Sequence, residues 1–356
     1  MFEKIISFEN LYRSYRNVRR LKRYYPAQQK YEFNLETNLC KLQQKLKNPS
    51  KYNPRPYRRF AVYEPKKRQI SAPHFEDRIV HQAIVRVIGP GIVEKFIPQS
   101  YACIENRGTH KAVADIKKAL GELRTGYYLK ADISRYFASV NHEILKKLLR
   151  KYISCPKTLC LLDKIIDSYE DGSGRGIPIG NLTSQLFANL YLNELDWFVA
   201  SRNNLGHFRY MDDFVVISRD KNKLIRVRDE IEAFLQSQLQ LTLHPRKRLI
   251  QRLSFGIDFC GYQIFPNRVV LRKRTIRRFV RGYKKRQKKL ENLRNQLASH
   301  LSPELNPGLE EEISDLEGKL DRSVTSHLGF LKYSEVDRTR GEYTYANNIR
   351  LPYLPT

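Results

Sequence analysis

Two adjacent carboxylates, Asp212 and Asp213, stand between two short apolar runs, Phe208 to Tyr210 and Phe214 to Ser218. Such runs around a polar tip predict two strands with the acidic pair where the chain reverses. Taken alone, an ordinary Asp-rich β-turn is the better reading of that tip. Asp132 changes the balance. It closes the strand-like run from Tyr127 to Ile133 and leads into the aromatic loop Ser134-Arg135-Tyr136-Phe137. A strand-end carboxylate and a hairpin tip can converge on one point, and crowded carboxylates repel one another unless a cation lies between them. Three carboxylates around two metal ions are what in-line phosphoryl transfer needs. Mg²⁺ takes carboxylate, carbonyl and water oxygens, so the scattered histidines need play no part.

Charge names the kind of partner. Lys and Arg number 65 against 37 Asp and Glu, a formal net charge of +28 over 356 residues. That excess is far more than solubility requires and implies a polyanion. The basic residues are interleaved with Tyr and Phe along the whole chain, which favours nucleic acid over a membrane surface. No stretch approaches the roughly 20 apolar residues of a membrane span, and the N-terminus carries no readable secretory signal. Five cysteines, none in a Cys-x-x-Cys pair, make a zinc site or disulfide framework a poor expectation and suit a reducing, cytoplasmic compartment.

The chain reads as alternating elements. Apolar spacing predicts a basic amphipathic helix over the first thirty residues, closed by Pro26, as either a packed helix or an RNA-contacting arm. Strands are predicted at Arg59 to Glu64 and Arg68 to Ala72, and helices at Glu76 to Val87 and His142 to Ile153, the latter with Asn141 as its N-cap. A Gly/Pro-rich loop, Gly172 to Gly180, feeds a helix from Leu182, and a further helix spans Lys223 to Leu239. Between Phe259 and Leu290 there is no acidic residue. The segment Glu304 to Glu317 reverses the sign and is broken by Pro303 and Asn306-Pro307-Gly308.

Several blocks then carry a resemblance. "YYLKADISRYFASVNH", "GIPIGNLTSQLFANLYLNELD" and "FRYMDDFVVIS" resemble, in order, the palm motifs of reverse transcriptases. "AVYEPKKRQISAPHFEDRIVHQAI" and "SYACIENRGTHKAV" resemble the fingers motifs. "LTLHPRKRLI" and "GIDFCGYQIFP" resemble the two motifs closing the palm, and "SHLGFLKYSE" resembles a thumb helix. The resemblance covers about Arg58 to Leu271. It implies an α+β right-hand polymerase with fingers, a palm built on an antiparallel sheet, and a helical thumb. The expected divisions are an N-terminal helical extension at 1–57, fingers at 58–126, palm at 127–255 with an insertion at 154–180, and primer grip and thumb at 256–356.

The resemblance also implies roles. Asp132, Asp212 and Asp213 would hold two Mg²⁺ ions (Mn²⁺ able to substitute), with the Ile133 carbonyl as a further ligand. Phe137 would be the aromatic gate beneath the sugar that selects dNTPs. Lys66 and Arg68 would hold the triphosphate, as a guanidinium fork suits phosphate oxygens. Ile179, Gly180, Ser184 and Gln185 would shape the junction where template and nucleotide meet, and Lys247 would aid pyrophosphate departure. Phe259, Cys260, Gly261 and Tyr262 match the primer grip, with Cys260 expected as a small core hydrophobe. Arg272, Lys273, Arg274, Arg277, Arg278, Arg281, Lys284 and Lys285 would track one phosphate strand of an RNA–DNA hybrid.

One departure narrows the subfamily. Most reverse transcriptases place Gln before the Gly of the palm helix motif, which ends in Ser-Pro. Here Ile179 precedes Gly180, and Ser184-Gln185 closes the block. Both features resemble the reverse transcriptases of diversity-generating retroelements, which copy a template-repeat RNA into cDNA with errors opposite adenine. That resemblance implies an accessory variability determinant, a small basic helical pentamer, and a bacterial, archaeal or phage source. The alternatives are a group II intron or retron enzyme, or a non-catalytic RNA-binding scaffold of the same shape.

Overall fold

A computed structural model of the chain describes residues 1–20, 25–63, 67–169, 172–202, 205–299, 307–331 and 333–334. In chain order the elements are α1 (Phe2–Ile6), α2 (Phe8–Arg19), α3 (Pro26–Phe33), α4 (Leu35–Lys47), β1 (Arg58–Tyr63), β2 (Lys67–Ala72), α5 (Phe75–Val93) and α6 (Thr109–Leu123). Then come β3 (Tyr127–Ile133), α7 (Tyr136–Ser139), α8 (His142–Tyr152), α9 (Pro156–Asp167), α10 (Leu182–Ala200), β4 (Gly206–Tyr210), β5 (Asp213–Ser218) and α11 (Lys221–Leu239). The chain continues with β6 (Leu243–Arg252), β7 (Ile257–Phe259), β8 (Tyr262–Ile264), β9 (Val269–Leu271), α12 (Lys273–Ser299) and α13 (Pro307–Leu331). The described residues form two compact units, those within 1–112 and 126–251, and those within 113–125 and 252–334.

The first unit is built on a four-stranded sheet in the order β4-β5-β3-β6. β5 is antiparallel to both β3 and β4, with Tyr127 opposite Ser218 and Gly206 opposite Ile217. β5 is apolar on both faces (Phe214, Val215, Val216 and Ile217 are all buried), as a central covered strand must be. α10 is buried along most of its length, with Leu186, Phe187, Leu190, Tyr191, Leu192 and Leu195 inside, and it packs on α5, α8, α11 and β4. Its charge-poor sequence follows from being surrounded. α8 begins where expected, the Asn141 side chain accepting from the Ile144 amide at 3.0 Å. β1 and β2 form a separate antiparallel hairpin.

Two expectations of secondary structure need correction, and one helix was not expected. The single N-terminal helix is two, α1 and α2, because Ser7 leaves helical geometry and its hydroxyl accepts from the Asn10 amide, capping α2. The unexpected helix is α9, which opens on Pro156 and buries Leu161, Leu162, Ile165 and Ile166. Pro307, expected to break the acidic segment, instead opens α13.

The second unit holds most of α6, the small antiparallel sheet β7-β8-β9, and the oppositely charged helices α12 and α13. Cys260 and Gly261 are the two-residue turn between β7 and β8, both at positive φ (49° and 91°), the backbone of a tight hairpin. Cys260 is therefore half-exposed at a turn and not the core residue expected. α13 brings acid against the basic helix: Glu312 pairs with Lys289 and Glu317 with Arg294, each at 2.6 Å. Among the described residues, no helix is long and apolar enough to cross a membrane.

Candidate active site

The sheet places Asp132 directly opposite Asp213, at the ends of β3 and β5. Tyr210 pairs with Asp213 from the other side, so Met211 and Asp212 are the two residues of a tight reversal. Met211 sits at φ +56°, the left-handed region that costs a side-chain-bearing residue about 1 kcal/mol or more. Like charges directly opposed across a ladder are destabilising, and the surroundings answer that cost. Lys247 on β6 donates from Nζ to Asp132 Oδ2. Lys130, two residues before Asp132 and so on the same face of β3, lies 3.2 Å from Asp213 Oδ2.

The compensation is incomplete. Burial pushes the Asp213 carboxyl up to about 6, against the pull of Lys130, and the charges of Asp132 and Asp212 push the same way. Burial raises Asp212 too, followed by the charge of Asp132, while Lys247 and Arg68 oppose it. Among the described residues, buried Asp213 Oδ1 finds no hydrogen-bond partner. As arranged, with lysines on two of the three carboxylates, no group of three His, Cys, Asp or Glu among the described residues encloses a ready-made metal position. The donor chemistry nevertheless suits a hard divalent cation: oxygen ligands, an orphaned carboxylate oxygen, and ammonium groups lying where positive charge is wanted.

The remaining candidates divide. Arg68, exposed on β2 opposite Val62, is near enough for its charge to act on Asp212. Lys66 lies outside the described residues. Phe137 is half-buried, edge-on to the buried Tyr136 at 5.7 Å, and its carbonyl accepts from the Ile177 amide at 2.7 Å. That bond ties the aromatic loop to the segment carrying Ile179. Ile133 closes β3 with its side chain in the core. Ile179 is half-buried, and its carbonyl accepts from the Ser71 amide on β2 at 3.3 Å. Gly180 has φ +108°, and a Cβ there would come within 3.1 Å of Ile70, so the close approach of loop and β2 demands glycine. Ser184 is buried and Gln185 half-buried in the first turn of α10.

In the second unit Phe259 and Tyr262 are fully buried in the β7–β8 hairpin, and the Tyr262 hydroxyl donates to the Phe330 carbonyl at 3.0 Å. Arg272 pairs with Asp258. Lys273, Arg274, Arg277, Arg278, Arg281, Lys284 and Lys285 are all exposed on α12.

Sequence reasoning missed two features. Lys130 is one, although its i, i+2 relation to Asp132 was readable. The other is a buried polar cluster behind the hairpin, Arg209 with Asp196, His207, Asn189 and Ser100. Its signal was a charge in each of two largely apolar runs, Arg209 in β4 and Asp196 in α10.

Residues 57–264 match the family model described as reverse transcriptase (RNA-dependent DNA polymerase). The chain belongs to the reverse transcriptase family. Its mixed helices and antiparallel sheet are those of a right-hand polymerase. The chain is 29% identical to protein YkfC of Escherichia coli over 61% of its own length and 68% of that protein. It is 25% identical to the group II intron-encoded protein LtrA of Lactococcus lactis over 68% of its length, spanning about half (51%) of that relative. Among solved structures, the apo telomerase of Candida tropicalis truncated from the C-terminal domain aligns at 13% identity with a TM-score of 0.49, covering 67% of this chain and 60% of that one. Reverse transcriptases generally use divalent metals, in keeping with the carboxylate cluster.

Proposed function

We propose that this reverse transcriptase copies a template-repeat RNA into cDNA with adenine-directed errors, as the polymerase of a diversity-generating retroelement. The observation that carries the polymerase reading is the register Asp132↔Asp213, with Asp212 in the adjoining turn. We assign the four-stranded sheet to the palm, the β1–β2 hairpin to the fingers, and β7–β9 with α12 and α13 to the primer grip and thumb.

Asp132, Asp212 and Asp213, with the Ile133 carbonyl, are the groups that would hold two Mg²⁺ ions. When bound, those ions supply activation of the primer 3′-hydroxyl and charge stabilisation at the reacting phosphate. The chain's own residues do the rest. Arg68 offers a planar donor fork to the triphosphate. The Phe137 ring leaves no hydrogen bond for a 2′-hydroxyl, which favours dNTPs. Lys247, resting on Asp132, is placed to exchange that partner for departing pyrophosphate. The exposed cations of α12 bind the hybrid through its backbone, without reading sequence.

The subfamily reading rests on Ile179 and on Ser184-Gln185. An aliphatic side chain at position 179 cannot hydrogen-bond the nascent pair as Gln can, which loosens geometric checking. The accessory pentameric protein is part of the same reading. A group II intron-type enzyme is the second reading, favoured by the relatedness to LtrA.

Primer extension on an RNA template with Mg²⁺ tests the activity, with Asp212→Asn as the control that abolishes extension while retaining RNA binding. Sequencing of the cDNA tests the subfamily. Errors concentrated opposite adenine and reduced by Ile179→Gln are expected. Uniformly low errors, unchanged by the substitution, would leave the intron-type reading.

A further inference from the structure

Behind the catalytic turn lies an arginine that no expected role uses. Arg209 stands on β4, one residue before the Tyr-Met-Asp-Asp segment, and its side chain and that of Asp196 on α10 are both fully buried. A charge in such a place is costly unless every donor is engaged, and here all five are. Nε donates to both carboxylate oxygens of Asp196 (2.8 and 2.9 Å), and Nη2 to Asp196 Oδ2 (2.7 Å) and Ser100 Oγ (2.8 Å). Nη1 donates to Asn189 Oδ1 and to the Met211 carbonyl, each at 3.0 Å.

The backbone of Arg209 is equally fixed. Its amide donates to the Gln99 carbonyl at 3.0 Å, and its carbonyl accepts from the Tyr101 amide at 3.1 Å. His207, two residues earlier on the same face of β4, donates from Nε2 to Asp196 Oδ1 at 2.8 Å. Asp196 is thus held by a fork and an imidazole together. Burial alone would raise its carboxyl, but the Arg209 charge and these hydrogen bonds bring it below the ordinary carboxylate range.

One bond in this set faces the chemistry. Met211 occupies the left-handed region, an unfavoured backbone state that persists only when the surroundings over-determine it. Its carbonyl belongs to the peptide that leads into Asp212, so the orientation of that peptide sets where the Asp212 carboxylate points. We propose that Arg209, clamped by Asp196, is a positioning residue that holds the Met211 carbonyl and thereby fixes the turn presenting Asp212. This rests on the polymerase reading given above. A lysine could not replace it: one ammonium cannot grip Asp196 on one side and the Met211 carbonyl on the other in a fixed plane.

The test compares wild type with Arg209→Lys and with the double variant Arg209→Met/Asp196→Leu, which removes both buried charges together. Replacing a whole buried pair with apolar residues is often tolerated where removing one partner is not, so the double variant decides the matter should the single one fail to fold. Folding is followed by circular dichroism and melting, active enzyme by burst amplitude, and metal affinity by Mn²⁺ binding in electron paramagnetic resonance. The expected result is a polymerisation rate per active site lower by about tenfold or more. Mn²⁺ binding should weaken, while primer–template affinity stays unchanged. Folded variants with wild-type rate and metal affinity would overturn the positioning role, as would a loss wholly accounted for by fewer active molecules. Failure of the wild-type protein itself to extend a primer would instead overturn the polymerase reading.

Discussion

Asp132 and Asp213 face each other across the β3–β5 ladder, two carboxylates in a position where cross-strand partners ordinarily attract. Lys130 and Lys247 offset the repulsion without removing it, since Asp213 keeps a buried oxygen with no partner among the described residues and a carboxyl raised to about 6. The fold is therefore strained by its own site. Asp213→Asn, isosteric and neutral, is expected to raise the melting temperature in metal-free buffer by about 2 °C or more while abolishing primer extension. Mg²⁺ should stabilise the wild type and have no effect on the variant. A lowered melting temperature in Asp213→Asn would show that Lys130 had already settled the cost.

Lys247 competes with any cation for Asp132. Its side chain is 45% exposed, so the pair is worth no more than about 1 kcal/mol. Lys247→Met should therefore lower the Mg²⁺ concentration for half-maximal binding by about two- to fivefold. If Lys247 also attends the departing pyrophosphate, the maximal rate falls in the same variant. Isothermal titration of metal into the protein separates the first effect from the second. An unchanged midpoint would mean that the ion pair dissolves in solution.

The carboxylates were legible because a charge in an apolar run has few explanations. Asp132 and the 212–213 pair interrupt alternating hydrophobic strands, and the pairing that unites them follows once those strands are drawn. Arg209 and Asp196 interrupt apolar runs in the same way, yet their partnership was not legible. The contacts that make the cluster close over separations of 13, 20 and 109 residues, and local periodicity carries no information at that range. The N-terminal break was hidden for the opposite reason. The apolar spacing runs on through Ser7, and only its capping geometry ends one helix and starts the next. Cys260 was misread because its residue type suits a core, whereas the hairpin needs its backbone. The acidic segment read as a change of composition, and its purpose emerged when α13 laid Glu312 and Glu317 against α12.

His81 gives the first unit a pH dependence of its own. It is buried on α5, its Nδ1 lies 2.7 Å from Thr183 Oγ1, and its Nε2 has no partner among the described residues. Burial pushes its pKa from 6.5 down to about 4. Between those values the unfolded chain binds a proton that the folded chain does not, so stability rises with pH across that window and is fully present above it. Acidification from about pH 7.5 to about pH 5 should cost the wild type about 2 kcal/mol through this residue. His81→Asn, which keeps a donor toward Thr183, should remove that part of the slope in urea unfolding. Parallel pH profiles for the two proteins would place the acid sensitivity elsewhere.

The cations of α12 are not equivalent, and salt dependence should tell them apart. Arg277 and Arg281 lie one turn apart on an exposed surface, with no carboxylate at ion-pair distance among the described residues. Lys289, further along the same helix, is spent on Glu312. A phosphate strand can gain only from charge that is not already neutralised, and each phosphate so neutralised releases counterions. Arg277→Gln/Arg281→Gln should weaken binding of an RNA–DNA hybrid and flatten the plot of log affinity against log salt by about one unit per lost contact. Lys289→Gln should leave that slope alone and lower only the stability of the helical pair. Fluorescence anisotropy across a salt series reads both. Equal slopes for all three proteins would return α12 to the status of a solvated basic face, and the affinity for nucleic acid would then have to come from another part of a chain with a formal net charge of +28.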